Sequence, residues 1–148
     1  MNKIYIFLIV CSLFIGGCAT TTMYRGVFKE DSLAHVKEFN VERDILFISL
    51  IEVLCLRQFT IVLDDDEKGV VLAKRVFLKN NRNFNLNIQG KIIAQNEGSY
   101  MLSINTVETV ESVKGTQRVI EREKLINDAK FYEKLFSEIE NSIKKRTK

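Results

Sequence analysis

The stretch from Phe59 to Arg122 constrains the fold most, because apolar and polar residues alternate along it in segments that short turns separate. Alternation with a period of two is typical of half-buried β-strands, and the turn residues between the segments favour hairpins. A first strand is predicted before this stretch. The predicted strands are 34–39, 59–63, 70–79, 84–95 and 100–110, with 118–122 as an optional short addition.

Two predicted helices flank this pattern. Asn40 is a favourable N-cap residue for a helix over 41–57, and the segment Ile45–Leu56 holds ten apolar residues out of twelve. A helix so apolar all round must be largely covered. Asn127 or Asp128 is predicted to cap a second helix. Its apolar face is formed by Ala129, Tyr132, Phe136, Ile139 and Ile143, which recur at spacings of three and four.

This order of elements predicts the fold class. Sequential hairpins form an antiparallel sheet, and the apolar faces of two helices must be covered by that sheet. We therefore expect an α+β fold, in which a curved antiparallel sheet of four to five strands carries both helices on one face.

The amino-terminal residues have another role. Lys3 precedes the apolar run Ile4–Ile15, which is about twelve residues long, whereas a membrane-spanning helix needs roughly twenty. A basic start, a short apolar core and small residues are typical of a secretory signal peptide. The run ends in Ile15-Gly16-Gly17-Cys18, which resembles the lipobox of bacterial lipoproteins.

The lipobox resemblance implies cleavage between Gly17 and Cys18, followed by attachment of diacylglycerol to the Cys18 thiol and acylation of its amino group. Two or more acyl chains hold a protein stably on a membrane, whereas one chain holds it only marginally. In Gram-negative lipoproteins, Asp after the Cys favours retention at the inner membrane. Ala19 therefore implies the periplasmic side of the outer membrane.

The predicted organisation has three parts: a cleaved signal peptide over 1–17, a lipidated Cys and tether over 18–30, and a single periplasmic α+β domain over 31–148. A chain of 148 residues fits one domain of ordinary size. The twelve tether residues 19–30 span at most about 40 Å when extended. We therefore expect the domain to stay close to its membrane.

One acidic segment superficially resembles a calcium-binding loop. Asp64, Asp66 and Gly69 match the first, third and sixth positions of an EF-hand loop. Lys68 and Arg75 occupy the fifth and twelfth positions, where that loop needs an oxygen ligand and a bidentate Glu. The segment is therefore predicted to be a solvated hairpin turn.

Candidates for catalysis and metal binding are few. His35 is the one histidine and is expected at the surface, and Cys55 is expected in the core without a disulfide partner. A zinc site needs three or four ligands, which this set does not supply. No catalytic residue, metal site or cofactor is predicted, so we expect no enzyme. The net charge of +3 is too weak to predict nucleic-acid binding.

Two polar segments have an ordinary interpretation. The basic residues over 144–148 complement the dipole of the predicted helix end, although they could also contact anionic head groups or an acidic partner. The asparagine-rich segment 80–87 is expected to be an exposed face of the sheet.

The order of elements after the tether carries a second resemblance. Asn40 opens an apolar helix, Phe59-Thr60-Ile61 enters a strand, Gly69-Val70-Val71 returns, and Ile126-Asn127-Asp128 leads into Phe131-Tyr132. This order resembles the helix-grip-like domains of the accessory lipoprotein of the outer-membrane assembly machine. It implies a non-catalytic accessory or interaction module that binds an envelope protein partner. An apolar-ligand-binding module is the alternative, and a small hydrolase using His35 is a remote one.

Overall fold

Along the described residues, a short first strand is followed by one helix, a block of further strands and a final helix. The computed structural model describes residues 34–79, 82–114 and 117–148. The helices are α1 (Arg43–Leu56) and α2 (Ala129–Arg146). The strands are β1 (His35–Phe39), β2 (Thr60–Asp65), β3 (Val70–Lys79), β4 (Arg82–Asn96), β5 (Ser99–Lys114) and β6 (Gln117–Leu125).

All strand pairs form one open antiparallel sheet. The order across it is β1-β5-β4-β3-β2, and β6 also pairs with β5. β1 pairs with the segment Tyr100–Ile104 of β5, and β6 pairs with the segment Val107–Lys114. The two short strands therefore share one edge of the long β5. The α+β class and the antiparallel sheet are confirmed, with six strands rather than four to five, because β5 is long enough to pair with both.

Both helices contribute to a core on one face of the sheet. Val71, Gly90 and Ile104 are in register across β3, β4 and β5, and Val71 and Ile104 are 0% exposed. The same apolar cluster contains side chains from both helices, and its fully buried helix members are Leu46, Leu50, Leu54, Leu135 and Ile139. Gly90 permits the close approach of α1, because a Cβ atom there would lie 2.7 Å from Cδ2 of Leu50.

The helix starts show one wrong and one correct prediction. α1 begins at Arg43 behind Glu42, whose side chain forms no capping hydrogen bond, so Asn40 is not the N-cap. Glu42 has an extended backbone (φ −57°, ψ 139°), which keeps Asn40 outside the helix. For α2, Asp128 is the N-cap and its carboxylate accepts a hydrogen bond from the Lys130 amide at 3.0 Å.

The acidic segment after β2 forms the predicted hairpin turn. The Asp65 carboxylate accepts hydrogen bonds from the Lys68 amide (3.1 Å) and from Lys68 Nζ (2.6 Å). Gly69 has a positive φ of 64° and its amide donates to the Asp66 carbonyl at 3.0 Å. These contacts reverse the chain into β3.

Candidate functional site

The β3–β4 hairpin extends beyond the part of the sheet that the helices cover. The core cluster reaches Ala73 on β3, and Leu86 on β4 packs against it. We call the residues past this limit, 74–79 of β3 and 82–85 of β4, the hairpin end. It carries exposed apolar side chains and basic residues that form no ion pair among the described residues.

The hairpin end is strongly basic. No Asp or Glu occurs from Lys68 to Asn96. Lys74 is paired with Glu111 of β5 at 3.7 Å. Arg75, Lys79 and Arg82 are exposed, and none of the ion pairs among the described residues includes them. Lys79 is directly opposite Arg82 in the β3–β4 register, an arrangement of like charges that destabilises a strand pair.

The hairpin end also exposes apolar side chains. Val76 and Leu78 are 58% and 70% exposed, on the face of the sheet opposite the helices. On the other face, the half-buried rings of Phe77 and Phe84 stack with centroids 5.5 Å apart. Because side chains alternate between the two faces of a strand, Arg75, Lys79 and Arg82 share the face of these rings, away from Val76 and Leu78.

Asparagines next to the hairpin end contradict the expectation of an exposed face. Asn85 and Asn87 are 1% and 5% exposed. Their Nδ2 atoms lie 3.5 Å and 3.4 Å from Thr109 Oγ1 on β5, and Asn87 Nδ2 also lies 3.5 Å from the Val107 carbonyl. The prediction was wrong because a neighbouring strand supplies the acceptors that these amides need when buried.

A second candidate region is the cleft between the helices. It has a volume of about 400 Å³, and Leu56 and Lys145 are among its lining residues. Glu52 of α1 accepts hydrogen bonds from Ser142 Oγ at 2.6 Å and from Arg146 Nη2 at 2.7 Å on α2. These charges are therefore satisfied within the described structure.

A second ion pair closes the same cleft. Arg57 Nε donates to Glu138 Oε2 at 2.6 Å, and the Arg57 guanidinium lies 5.6 Å from the ring centre of Phe131. Because Glu52 contacts the end of α2 and Arg57 contacts its middle, the two helices run antiparallel. These pairs join α1 to α2 across the cleft, so we assign its charged residues a structural role.

The pairs across the cleft predict an acid-dependent loss of stability. Hydrogen bonds from Ser142 and Arg146 lower the pKa of Glu52, and the hydrogen bond from Arg57 lowers the pKa of Glu138. A carboxyl whose pKa is lowered in the folded state stabilises it above the unfolded pKa of about 4.3, and this contribution is lost as the pH falls through the folded pKa.

We therefore expect the urea midpoint to fall below about pH 4, and to fall less steeply in a Glu52→Gln, Glu138→Gln variant. At neutral pH this variant should already be less stable. Glu133→Gln, at an exposed position on α2, is the matched control. Its urea midpoint should fall with decreasing pH as steeply as that of the unmodified protein. A double variant with unchanged acid dependence would contradict the assignment.

Cys55 is exposed, contrary to the prediction that it lies in the core. The sheet and α2 cover only part of the surface of α1, so its apolar sequence does not ensure burial on every side. Leu56 (76% exposed) and Ile48 (48% exposed) lie on the uncovered surface as well. No prediction about reactivity follows from this exposure alone.

His35 is half-buried rather than on the open surface. Its ring stacks on Tyr132 with centroids 3.6 Å apart, and its Nε2 lies 3.3 Å from Asn127 Oδ1. An aromatic ring and an amide orient the imidazole, and neither is a nucleophile. These contacts account for His35 as a residue that joins β1 to the start of α2.

The predicted lipid-attachment residue, Cys18, and the predicted cleavage residue, Gly17, lie outside the described residues. Within the described ranges, no group of three or more His, Cys, Asp or Glu residues is placed to hold a metal ion. Neither described helix is long and apolar enough to cross a membrane.

Comparison with known proteins finds similarity to solved structures. No protein-family model matches the chain, and no curated protein matches it. A solved structure of a TBP-like protein from Parabacteroides distasonis ATCC 8503 is similar with a TM-score of 0.42 and 10% sequence identity. The similarity covers 79% of this chain and 96% of that one.

Proposed function

We propose that this chain is a lipid-anchored cell-envelope protein whose domain is a non-catalytic interaction module facing the periplasm. The observation that carries the proposal is Ile15-Gly16-Gly17-Cys18, placed directly after a short apolar run with a basic start. In this proposal residues 1–17 are removed, Cys18 carries the lipid, and Ala19 directs the protein to the outer membrane. An envelope protein is the expected partner.

The fold of the described domain supports an interaction role over the apolar-ligand alternative. Leu50, Ile104 and Ile139 are 0% exposed and fill the space between helices and sheet, and the interhelical cleft is bordered by charged side chains. The exposed hairpin end offers a surface for a partner instead. We also propose that the sheet is curved. A curved sheet would present the hairpin end on one side of the domain.

Metabolic labelling with a fatty-acid analogue in a bacterial host tests the anchor. The full chain should incorporate the label, and Cys18→Ser should abolish incorporation because the acceptor thiol is gone. Cys11→Ser is the matched control, since it removes a cysteine of the predicted signal peptide and should leave labelling intact. Labelling that persists in Cys18→Ser would contradict the lipoprotein proposal.

The interaction role needs a separate experiment. Crosslinking in intact envelopes, followed by purification of the crosslinked chain, should recover one defined envelope protein. Recovery of no partner under all crosslinking conditions would contradict the accessory role while leaving the lipid anchor in place.

A further inference from the structure

One face of the hairpin end carries cations that have no counterpart within the described structure. This basic face consists of Arg75 and the Lys79–Arg82 pair, which flank the stacked rings of Phe77 and Phe84 in the β3–β4 register. None of the three cations forms an ion pair with a described residue. Because Lys79 and Arg82 lie opposite each other, an anion from outside the domain would relieve their repulsion.

The acidic residues of the neighbouring strand β5 do not supply this negative charge. Glu108 pairs with Arg122 at 2.9 Å, and Glu111 pairs with Lys74 at 3.7 Å. The half-buried rings between the cations form an apolar surface, and charges attract more strongly next to a protein surface than in bulk water. The basic face is therefore suited to carboxylates that come from another molecule.

A surface of the complementary charge lies at the other end of β3. We call Asp64–Glu67 the acidic turn, because these four successive acidic residues link β2 to β3. Asp64 and Glu67 are exposed, and none of the ion pairs among the described residues includes them. The chain itself therefore presents the kind of group that its basic face would bind.

Hydrogen bonds and ion pairs fix the shape of the acidic turn. The Asp65 carboxylate accepts hydrogen bonds from the Lys68 amide at 3.1 Å and from Lys68 Nζ at 2.6 Å. Asp66 Oδ1 accepts a hydrogen bond from Arg43 Nη1 at 2.9 Å. The other two carboxylates of the turn are not used in these contacts. A turn that is already ordered loses little conformational entropy when it docks.

The two charged surfaces cannot meet within one copy. β3 runs from Val70, beside the acidic turn, to Lys79 at the hairpin end, and a strand of ten residues is roughly 30 Å long. Two copies laid face to face could not join both pairs of surfaces either, because the helices on that face would keep the two sheets apart. The contact must therefore join different surfaces of successive copies, which is a heterologous contact that repeats from copy to copy.

We propose that the acidic turn of one copy docks on the basic face of the next, with its exposed carboxylates paired to the cations of that face. Copies then associate head to tail in rows rather than as closed dimers. The contact belongs to the folded domain and goes beyond the proposed function. The proposed lipid anchor would assist it, since copies confined to one membrane surface have a raised effective concentration.

Energy transfer between copies on vesicles tests this contact. The full chain is produced in a bacterial host, labelled with a donor or an acceptor at the exposed thiol of Cys55, and placed on phosphatidylcholine vesicles, which carry no net charge. Transfer should exceed the level expected for randomly placed copies. Added salt should reduce this excess, because screening weakens interactions between exposed charges.

Charge reversal tests the two surfaces separately and then together. The turn variant carries Asp64→Lys and Glu67→Lys, and the hairpin variant carries Arg75→Glu, Lys79→Glu and Arg82→Glu. Each variant by itself should lose the excess transfer, because like charges then face each other. A mixture of the two variants should restore it. In the mixture the reversed turn meets the reversed hairpin end, and the native turn meets the native hairpin end.

The matched controls reverse the same number of charges elsewhere. Glu97→Lys with Glu133→Lys corresponds to the turn variant, and Lys130→Glu with Lys144→Glu and Lys148→Glu corresponds to the hairpin variant. All five control positions are exposed. Both controls should keep the excess transfer of the unmodified chain, and far-ultraviolet circular dichroism checks that every variant is folded.

The proposal is overturned by transfer at the random level in the unmodified chain, by unchanged transfer in either reversal variant, or by no recovery in the mixture. Absence of transfer together with loss of an envelope crosslink in the hairpin variant would identify an acidic envelope protein as the occupant instead. Failure of the proposed lipid anchor is read separately, as failure of the unmodified chain to float with the vesicles. The same chains and mixtures are then compared by sedimentation velocity in solution, where the same pattern of loss and recovery is expected.

Discussion

Replacing Leu50 with Ala is expected to lower the free energy of unfolding by about 2–5 kcal/mol. Leu50 is 0% exposed and belongs to the core cluster between α1 and the sheet. Truncation removes buried methyl groups and leaves a cavity beside Gly90, where the backbone of β4 is held by its neighbours and cannot follow. Urea denaturation monitored by far-ultraviolet circular dichroism measures the loss.

Ile48→Ala on the same helix is the matched control. Ile48 is 48% exposed, so the substitution removes little buried area and should change stability by about 0.5 kcal/mol or less. Equal losses at positions 48 and 50 would contradict the packing of α1 on the sheet through Leu50.

Gly90→Ala sharpens the same prediction through a double-mutant cycle. A Cβ at position 90 would lie 2.7 Å from Leu50 Cδ2, so Gly90→Ala alone should destabilise the fold by about 1–3 kcal/mol. In the Leu50→Ala background the colliding methyl is absent and the cavity receives the added methyl. The coupling between the two substitutions should therefore be favourable, at about 0.5–3 kcal/mol. Strict additivity would show that the two positions do not touch.

The regular elements were predictable because their signals are local. Strand β3 was predicted at 70–79 and is observed at Val70–Lys79, because period-two alternation and the Gly69 turn both lie within the segment. The apolar stripe of α2 was equally local, and Tyr132, Phe136 and Ile139 are buried as expected. The sixth strand was predicted only as an optional addition, because its pairing depends on how much of the β5 edge β1 leaves open.

Burial was less predictable, because it depends on which surfaces of an element receive a neighbour. Cys55 lies in an apolar helix, but on a side that neither the sheet nor α2 covers. Asn87 has a polar side chain, but β5 supplies Thr109 Oγ1 and the Val107 carbonyl as its partners. Neither fact is encoded within the few residues around the position concerned.

Only part of the hairpin end's character could be predicted from the sequence. The absence of any acidic residue from Lys68 to Asn96 can be read from the sequence alone and indicates local positive charge. The sequence does not show that Lys79 lies opposite Arg82, nor that the core stops near Ala73. The strand register and the position of the helices determine that these positive charges lie close together and exposed. The predicted lipid site at Cys18 depends on sequence alone.

Replacing Gly69 with Ala is expected to destabilise the fold by roughly 2–5 kcal/mol, the sum of a backbone and a packing contribution. Gly69 has a φ of 64°, which disfavours side chains with a Cβ atom. A Cβ there would also lie 2.9 Å from the Ile92 carbonyl oxygen, a backbone atom that cannot rotate away. The Gly69 carbonyl accepts the Ile92 amide at 2.8 Å, so any shift also strains the β3–β4 pairing.

Gly98 separates the two contributions, because it has a φ of 78° but a Cβ atom there would meet no described neighbour within 4 Å. Gly98→Ala should therefore cost only the conformational part, about 1–2 kcal/mol. Asn tolerates positive φ better than Ala, so Gly98→Asn should recover much of this loss in urea denaturation, whereas Gly69→Asn should not. If the two glycines respond alike to both substitutions, the contact with the Ile92 carbonyl does not limit position 69, and the turn tolerates a side chain there.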